Sequence, residues 1–414
     1  MTIKNTYFIL SKILLFLFIL GTISCNGKPQ EKVNTPEKEI SVNRIVTGAN
    51  QTEKYLPLLK NKKVAVVANQ TSVIKVENQK SKVESRFIHL VDTLLAQNIN
   101  IVKVFAPEHG FRGKADAGEL VKDDIDVKTG LPILSLHGKT RKATPEMLQG
   151  IDIIIFDIQD VGVRFYTYIS TMSNMMEAAA ENNIPVIVLD RPNPNGHYVD
   201  GPMLEPEHSS FVGMHPIPLV YGMTIGEYAK MVNGEKWLKD GIQCDLTVIE
   251  LKNYSHDLTY HLPIRPSPNL PNDKSINLYP GLGFFEGTII NAGRGTEFQF
   301  QRYGAPFFPK TDFSYTPQPN FGSKNPKFKG ELCYGVDLSK TPRLSKVDVS
   351  GIVDAYQKTP KDKKFFGKSF TIHAGNLELQ KQIEAGMTAK EIRATWQKDI
   401  EKFKKIRKKY LIYH

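Results

Sequence analysis

The stretch Ala106-Pro-Glu-His-Gly-Phe-Arg-Gly113 puts a carboxylate, an imidazole and a guanidinium side by side, at Glu108, His109 and Arg112. Such a set can move a proton and hold an anion. It follows Ile101 to Phe105, a short run of β-formers that reads as a buried strand and stops at Pro107. Three other apolar runs end in the same way. Asn69 follows Lys63 to Ala68, Asp157 and Asp160 follow Ile151 to Phe156, and Asp190 with Arg191 follows Pro185 to Leu189. One such end suits a helix cap. A polar end repeated once per strand suits a cleft at the carboxyl edge of an α/β sheet, where ligands of such folds bind.

The missing motifs narrow the chemistry. No strand runs into G-x-G-x-x-G or a Walker lysine, and Gly293-Arg-Gly295 lies in irregular chain. There is no G-x-S-x-G elbow and no H-E-x-x-H. Glu108, His109, Asp157 and Asp160 lack a ligand spacing specific to a metal. We therefore expect neither metal nor cofactor. Carboxylate chemistry remains. In glycoside hydrolysis one carboxylic acid protonates the leaving oxygen, and a second carboxylate or a substrate group assists at the anomeric carbon. Tyr166, Tyr168, Phe284, Phe285, Phe307 and Phe308 can stack on sugar faces, although packing suits most of them better.

These groups need a scaffold. Helical spacing at His89 to Ala96, Ser170 to Glu181 and Met223 to Trp237 alternates with the strands, and Leu131 to Leu136 and Cys244 to Leu251 read as further strands. The first of that pair is expected at an edge. Thr144-Pro145-Glu146 reads as a helix start, and Thr224 with Glu227 as a capping box. The alternation predicts an α/β fold with a mostly parallel, doubly wound sheet. Lys114 to Lys128 reads as an active-site loop. After Asn253 the texture changes to prolines, aromatics and glycines, so we set a catalytic domain at 46–258 and a smaller α+β domain at 259–414. The latter has a strand candidate at Lys368 to His373 and a long helix from Thr388.

The chain has 414 residues, 23% charged and 41% hydrophobic, which fits a globular protein. Its net charge of +11 draws on lysines that alternate with Ile400, Phe403, Ile406 and Tyr410, the pattern of a solvated helix face. No nucleic-acid motif accompanies it, and a mild positive balance also suits an anionic polymer such as cell wall. At the N-terminus, Lys4 and Lys12 precede the apolar run Ile13 to Leu20 and then Thr22-Ile-Ser-Cys25. This resembles a bacterial lipoprotein signal over 1–24, with lipid on Cys25 and a flexible tether over 25–45. An ordinary secretory signal or an uncleaved anchor is the alternative. The expected location is the cell envelope, lipid-anchored on the periplasmic or outer surface of a membrane. Cys244 and Cys333 are expected as buried thiols.

Three motifs, Ala106 to Gly113, Phe156-Asp-Ile-Gln-Asp-Val-Gly-Val-Arg-Phe-Tyr-Thr-Tyr168 and Leu189-Asp-Arg-Pro-Asn-Pro-Asn-Gly196, together resemble the exo-β-N-acetylmuramidase family. Arg265 to Leu270, Tyr279-Pro-Gly, Glu286-Gly-Thr288 and Gly293 to Glu297 extend the resemblance from about Val46 to the C-terminus. It implies a Rossmann-like domain without a nucleotide, a smaller C-terminal domain, and a cleft that removes N-acetylmuramic acid from non-reducing ends of peptidoglycan fragments. It implies that Glu108 is the catalytic glutamate. Chemistry adds Asp160 and Asp190 as catalytic candidates. Asn69, His109, Arg112, Asp157, Arg164, Tyr168, Arg191, Asn269, Arg294 and Glu297 are candidates for substrate binding. The lactyl carboxylate of the sugar calls for an arginine, and Arg164 and Arg294 are favoured. The 2-acetamido group can itself act as nucleophile, oriented by Asp157, Asp160 or Asp190. A lipoprotein that only binds muropeptides, and an esterase or amidase of wall peptides, are the competing readings.

Overall fold

A computed structural model of the protein describes residues 44–76, 86–113 and 122–414. Cys25, the leader, most of the tether and the greater part of the expected loop at Lys114 to Lys128 lie outside the described residues. In chain order the first half carries β1 (Val64–Ala68), the hairpin β2 (Val73–Val76) and β3 (Arg86–His89), β4 (Ile101–Ala106), β5 (Asp124–Ile125) and β6 (Pro132–Ser135). Then follow β7 (Ile153–Asp157), β8 (Val186–Leu189), the ribbon β9 (Asp200–Met203) and β10 (Pro218–Val220), and β11 (Leu246–Ile249). Seven of these form one sheet in the order β11-β8-β7-β1-β4-β6-β5. All its pairings are parallel except β5 with β6.

Strands β1 and β8 are apolar at every position, and β7 up to Asp157, because both faces are covered. Side chains alternate between the two faces along each strand. Ala65, Val67, Ile154, Phe156, Val186 and Val188 enter one core. Val64, Val66, Ile153, Ile155, Ile187 and Leu189 enter the other. The helices covering the sheet include α1 (Thr52–Leu59), α2 (Leu90–Ala96), α3 (Pro145–Leu148), α4 (Tyr168–Glu181) and α5 (Ile225–Gly234). Thr144 caps α3 with Pro at its start, and Thr224 with Glu227 closes the expected capping box of α5.

The second half begins with α6 (Asp273–Leu282) and adds an antiparallel sheet of β12 (Arg302–Ala305), β13 (Ser314–Tyr315) and β14 (Cys333–Asp337). The helices α7 (Ser350–Lys358), α8 (Phe370–Ala374), α9 (Glu378–Glu384) and α10 (Ala389–Lys408) complete it. Its apolar residues Phe284, Phe285, Phe300, Phe370 and Trp396 belong to the same core as one face of the large sheet. The two halves therefore share continuous packing. In α10, Ile392, Trp396, Ile400 and Phe403 are buried at helical spacing, and the lysines take the outer face. Cys244 and Cys333 are buried free thiols.

Two elements differ from the sequence reading. Lys368 to His373 is not a strand. Phe370 packs on Phe366 and Phe284, and the short helix α8 ends at Gly375 in the left-handed conformation. Five residues show too little periodicity to separate helix from strand. The segment Leu131 to Leu136 is not the sheet edge, because the polar β5 pairs outside it.

Along the carboxyl rim, Asp157 at the end of β7 and Arg191 just beyond β8 form a two-pronged ion pair. Nε reaches Oδ1 at 2.6 Å and Nη2 reaches Oδ2 at 2.9 Å. Both side chains are buried, and Nη2 also donates to the Val73 carbonyl. Burial works to raise the Asp157 pKa, against Arg191, which lowers it. Removing one partner of such a pair leaves an uncompensated buried charge. Arg191→Ala should therefore lose about 3–5 kcal/mol of stability, read as a lower urea midpoint. A loss within experimental error would show that the pair does not hold the rim.

Candidate functional site

Glu108 lies one residue past Pro107, where β4 has ended. The chain then turns through His109 at φ 69° and Gly110 at φ 76°. A histidine in this region is uncommon, and local strain of this kind clusters at functional sites. Gly113 closes the turn at φ 70°, and a Cβ there would meet the Gln70 side chain at 2.6 Å. Gln70 in turn donates to the Arg265 and Pro266 carbonyls, so this close approach links the Glu108 turn to the proline-rich segment. The Tyr166 hydroxyl holds the same Pro266 carbonyl at 2.7 Å. Thr167, which precedes α4, donates to Oε2 of Glu108 at 3.2 Å. Tyr168, the first residue of α4, reaches the Glu108 carbonyl at 3.4 Å.

Glu108 and His109 open on a cavity of about 300 Å³. Its wall includes Phe165, Tyr166, Thr167 and Tyr168, with Ser267 and Asn269 from the proline-rich segment; the second half contributes Tyr279, Glu286, Arg294, Phe300 and His373. Tyr279 is fixed edge-on to Phe165 and Phe300, with ring centroids 5.0 and 4.7 Å away. Asn269 donates to the Gly322 carbonyl at 2.6 Å, while its Oδ1 is buried without a partner.

Two family models match the chain. The N-terminal model of the exo-β-N-acetylmuramidase NamZ covers residues 64–274, and its C-terminal model covers 277–413. The chain belongs to the NamZ family. It is 42% identical to the peptidoglycan β-N-acetylmuramidase NamZ of Bacillus subtilis, across 96% of this chain and 97% of that protein. Two crystal structures of DUF1343 family proteins from Bacteroides fragilis share the fold. One has a TM-score of 0.80 at 45% identity, the other 0.75 at 32%, and each match covers 90% of this chain and 99% of the other.

Within this NamZ fold the cavity gathers five of the residues singled out from sequence: Glu108, His109, Tyr168, Asn269 and Arg294. The others stand elsewhere. Asp157 and Arg191 face each other in the rim ion pair. Asp190 accepts from the Arg191 and Gly226 amides and from the Thr224 and Tyr413 hydroxyls, at 2.6 to 2.9 Å. Burial pushes its pKa up to about 7 against those donors. Asp160 accepts from the Tyr221 hydroxyl and the Gly162 amide, and burial pushes it up to about 6. Neither lines the cavity. Asn69 is fully buried and accepts from the Thr71 amide and hydroxyl. Arg112 pairs with Asp126 at 2.7 Å, and Glu297 is exposed off the wall.

Arg164 has the largest consequence. It is 1% exposed, and its guanidinium donates to the carbonyls of Pro202, Ile217, His373 and Ala374. It is a tie between the ribbon and α8, away from the cavity wall.

Tyr279, Glu286 and His373 were not singled out as site residues from sequence. Tyr279 and Glu286 stood inside quoted motifs, but no buried strand precedes them to mark a rim. His373 was assigned to a strand. Its Nδ1 donates to the Ser369 carbonyl at 2.8 Å, which leaves Nε2 as the acceptor. Burial lowers its pKa, so the ring is neutral at pH 7. Glu286 accepts from Arg294 Nε at 2.9 Å. Beside it Lys327 donates to the carbonyls of Phe285, Thr288 and Ile290, at 2.6 to 3.2 Å. Burial works to raise the Glu286 pKa, but Arg294 and then Lys327 outweigh it and hold the group below its ordinary value. Glu286 is therefore ionised at neutral pH.

Proposed function

We propose that this chain is an exo-acting glycoside hydrolase that releases N-acetylmuramic acid from the non-reducing ends of peptidoglycan fragments. The observation that carries this is the placement of Glu108 and Arg294 in one cavity, contributed by opposite halves of a NamZ fold. About 300 Å³ is at the small end of ligand sites, with room for one sugar residue rather than a run of them. That suits exo action. The named activity of the Bacillus relative supports the same reading.

Glu108 acts as general acid. It follows a rigid strand, and Thr167 fixes one carboxyl oxygen. A proton from this group to the glycosidic oxygen turns a poor leaving alkoxide into an alcohol. Arg294 receives the lactyl carboxylate. Its Nε is held by Glu286, and among the described residues no hydrogen bond engages its two Nη groups. Arg164 does not serve this role, because it is buried away from the cavity wall and both its Nη groups are engaged by backbone carbonyls. Tyr279 offers ring surface to the sugar, and the buried Phe300 backs it. Cys25 is the proposed lipid attachment point, from the apolar run and polar tether around it. That anchor would hold the enzyme in the cell envelope, close to its polymer.

Glu108→Gln keeps size and hydrogen bonding but cannot donate the proton. It should fold normally and lose about 10²–10⁴-fold on a disaccharide substrate, with a smaller loss on an aryl glycoside whose leaving group needs less protonation. Near-normal disaccharide turnover by the folded variant would remove Glu108 from the mechanism and favour a protein that only binds muropeptides.

Arg294→Ala should lower turnover of an aryl N-acetylmuraminide roughly ten- to a hundredfold more than that of the N-acetylglucosaminide. Only the muraminide carries the lactyl carboxylate. Equal losses on both sugars would confine Arg294 to holding Glu286. Cys25→Ser should move the protein from the membrane fraction to the soluble fraction, and a processed variant that stayed on the membrane would refute the anchor.

A further inference from the structure

We infer that Glu286 is a second catalytic residue, which orients the 2-acetamido group of the sugar so that its carbonyl oxygen attacks the anomeric carbon. The inference rests on the muramidase reading and deepens it.

Arg294 and Glu286 are joined by the 2.9 Å bond from Nε to Oε1. On N-acetylmuramic acid the lactyl ether is on C3 and the acetamido group is on the neighbouring C2. If Arg294 holds the lactyl carboxylate, the carboxylate bound to that arginine lies beside C2. Glu286 is ionised, so it is an acceptor with no proton to give. The acetamido N–H is the donor that the sugar offers at that position.

The second oxygen of Glu286 is available for this bond. Among the described residues Oε2 accepts no hydrogen bond, while the side chain remains 28% exposed and lines the cavity. Arg294 and Lys327 fix the charge, and Lys327 is itself pinned by three backbone carbonyls. The group is thus held in place before any sugar arrives, as electrostatic catalysis requires. The rim carboxylates Asp157 and Asp190 are not placed for this task. Asp157 faces Arg191, and Asp190 is saturated by its donors.

The acetamido oxygen forms a bond to C1 as the C1–O glycosidic bond breaks. The departing oxygen takes the proton of Glu108, and the positive charge that develops on the amide nitrogen is stabilised by Glu286. Water then attacks C1 and gives its proton to Glu108. The C1–O bond to the amide breaks, its electrons restore the acetamide, and the product keeps the β configuration. The net change is hydrolysis of one glycosidic bond, with no other reactant.

The test uses the full-length protein and aryl muraminides whose 2-acetyl group carries zero to three fluorines. Fluorine weakens the carbonyl oxygen as a nucleophile. If that oxygen attacks, kcat should fall by at least ~100-fold from acetyl to trifluoroacetyl, because intramolecular attack supplies much of the rate. Glu286→Gln should lose about 10²–10³-fold in kcat, in the range seen when one preorganised electrostatic group is removed. It should also keep the thermal midpoint of the wild type. The first-formed sugar, read by NMR, should be the β anomer. A flat fluorine dependence in the wild type, an α product, or a folded Glu286→Gln with near-normal kcat would each overturn the inference. The fluorine series needs no variant, so a misfolded Glu286→Gln leaves the question decidable. Failure of the wild type to cleave the parent acetyl compound would instead overturn the muramidase reading.

Discussion

The site depends on one buried cation. Arg164 is almost fully enclosed, yet among the described residues no carboxylate pairs with it. Its partners are backbone carbonyls from the β9–β10 ribbon and from the end of α8. Taking a guanidinium out of water is costly unless its donors are paired, and four bonds go far toward meeting that cost. Two of those carbonyls belong to His373 and Ala374. The cation therefore fixes the helix that delivers His373 to the cavity. The neighbouring chain has been shaped around it. A Cβ on Gly375 would lie 2.5 Å from Arg164 Nη2, and the φ of 77° there suits glycine. Phe165, the next residue, packs edge-on to Tyr279 and against His373. One short segment thus ties the second half to the first and lines the cavity where they meet.

The sheet was legible because its strands are self-contained signals. Val64 to Ala68, Ile153 to Phe156 and Val186 to Leu189 are apolar without interruption, which is what burial on both faces demands. The polar rim was legible for the same reason, since each strand stops abruptly at a charged or amide side chain. Residue type alone could not show which rim groups face a ligand. Asp190 is satisfied partly by Tyr413, 223 residues away, and Asp157 by Arg191, 34 residues away. A partner at such a distance leaves no local trace. A carboxylate sealed by distant donors and one open to a cavity look alike in the sequence.

The opposite wall was hidden for a different reason. Glu286 and Arg294 lie in chain that is neither long helix nor strand, where periodicity carries no signal. Their motifs were visible as resemblance but not as chemistry. His373 was obscured because a five-residue helix and a short strand have similar apolar spacing. Tyr279 is inside α6, and Pro280 next to it argues locally against a helix. Tertiary packing against Phe165 and Phe300 overrides that local cost.

The distribution of charge explains why the rim needs a second half to work. Around β7 and β8 the carboxylates of Asp157 and Asp190 are covered by an arginine, by the start of α5 and by the C-terminal tyrosine, so that part of the rim is closed. The opening lies at β4, where Glu108 meets chain from the second half. There the wall supplies what the sheet lacks: an arginine whose Nη donors are unused among the described residues, a carboxylate kept ionised by two cations, and a neutral imidazole. A proton donor on one wall and a fixed anion on the other can act on different atoms of one sugar. Neither half has both groups. On the proposed mechanism that division would make the continuous core between the halves part of the catalytic apparatus, since a shift between them would separate the proposed acid from the groups proposed to position its substrate.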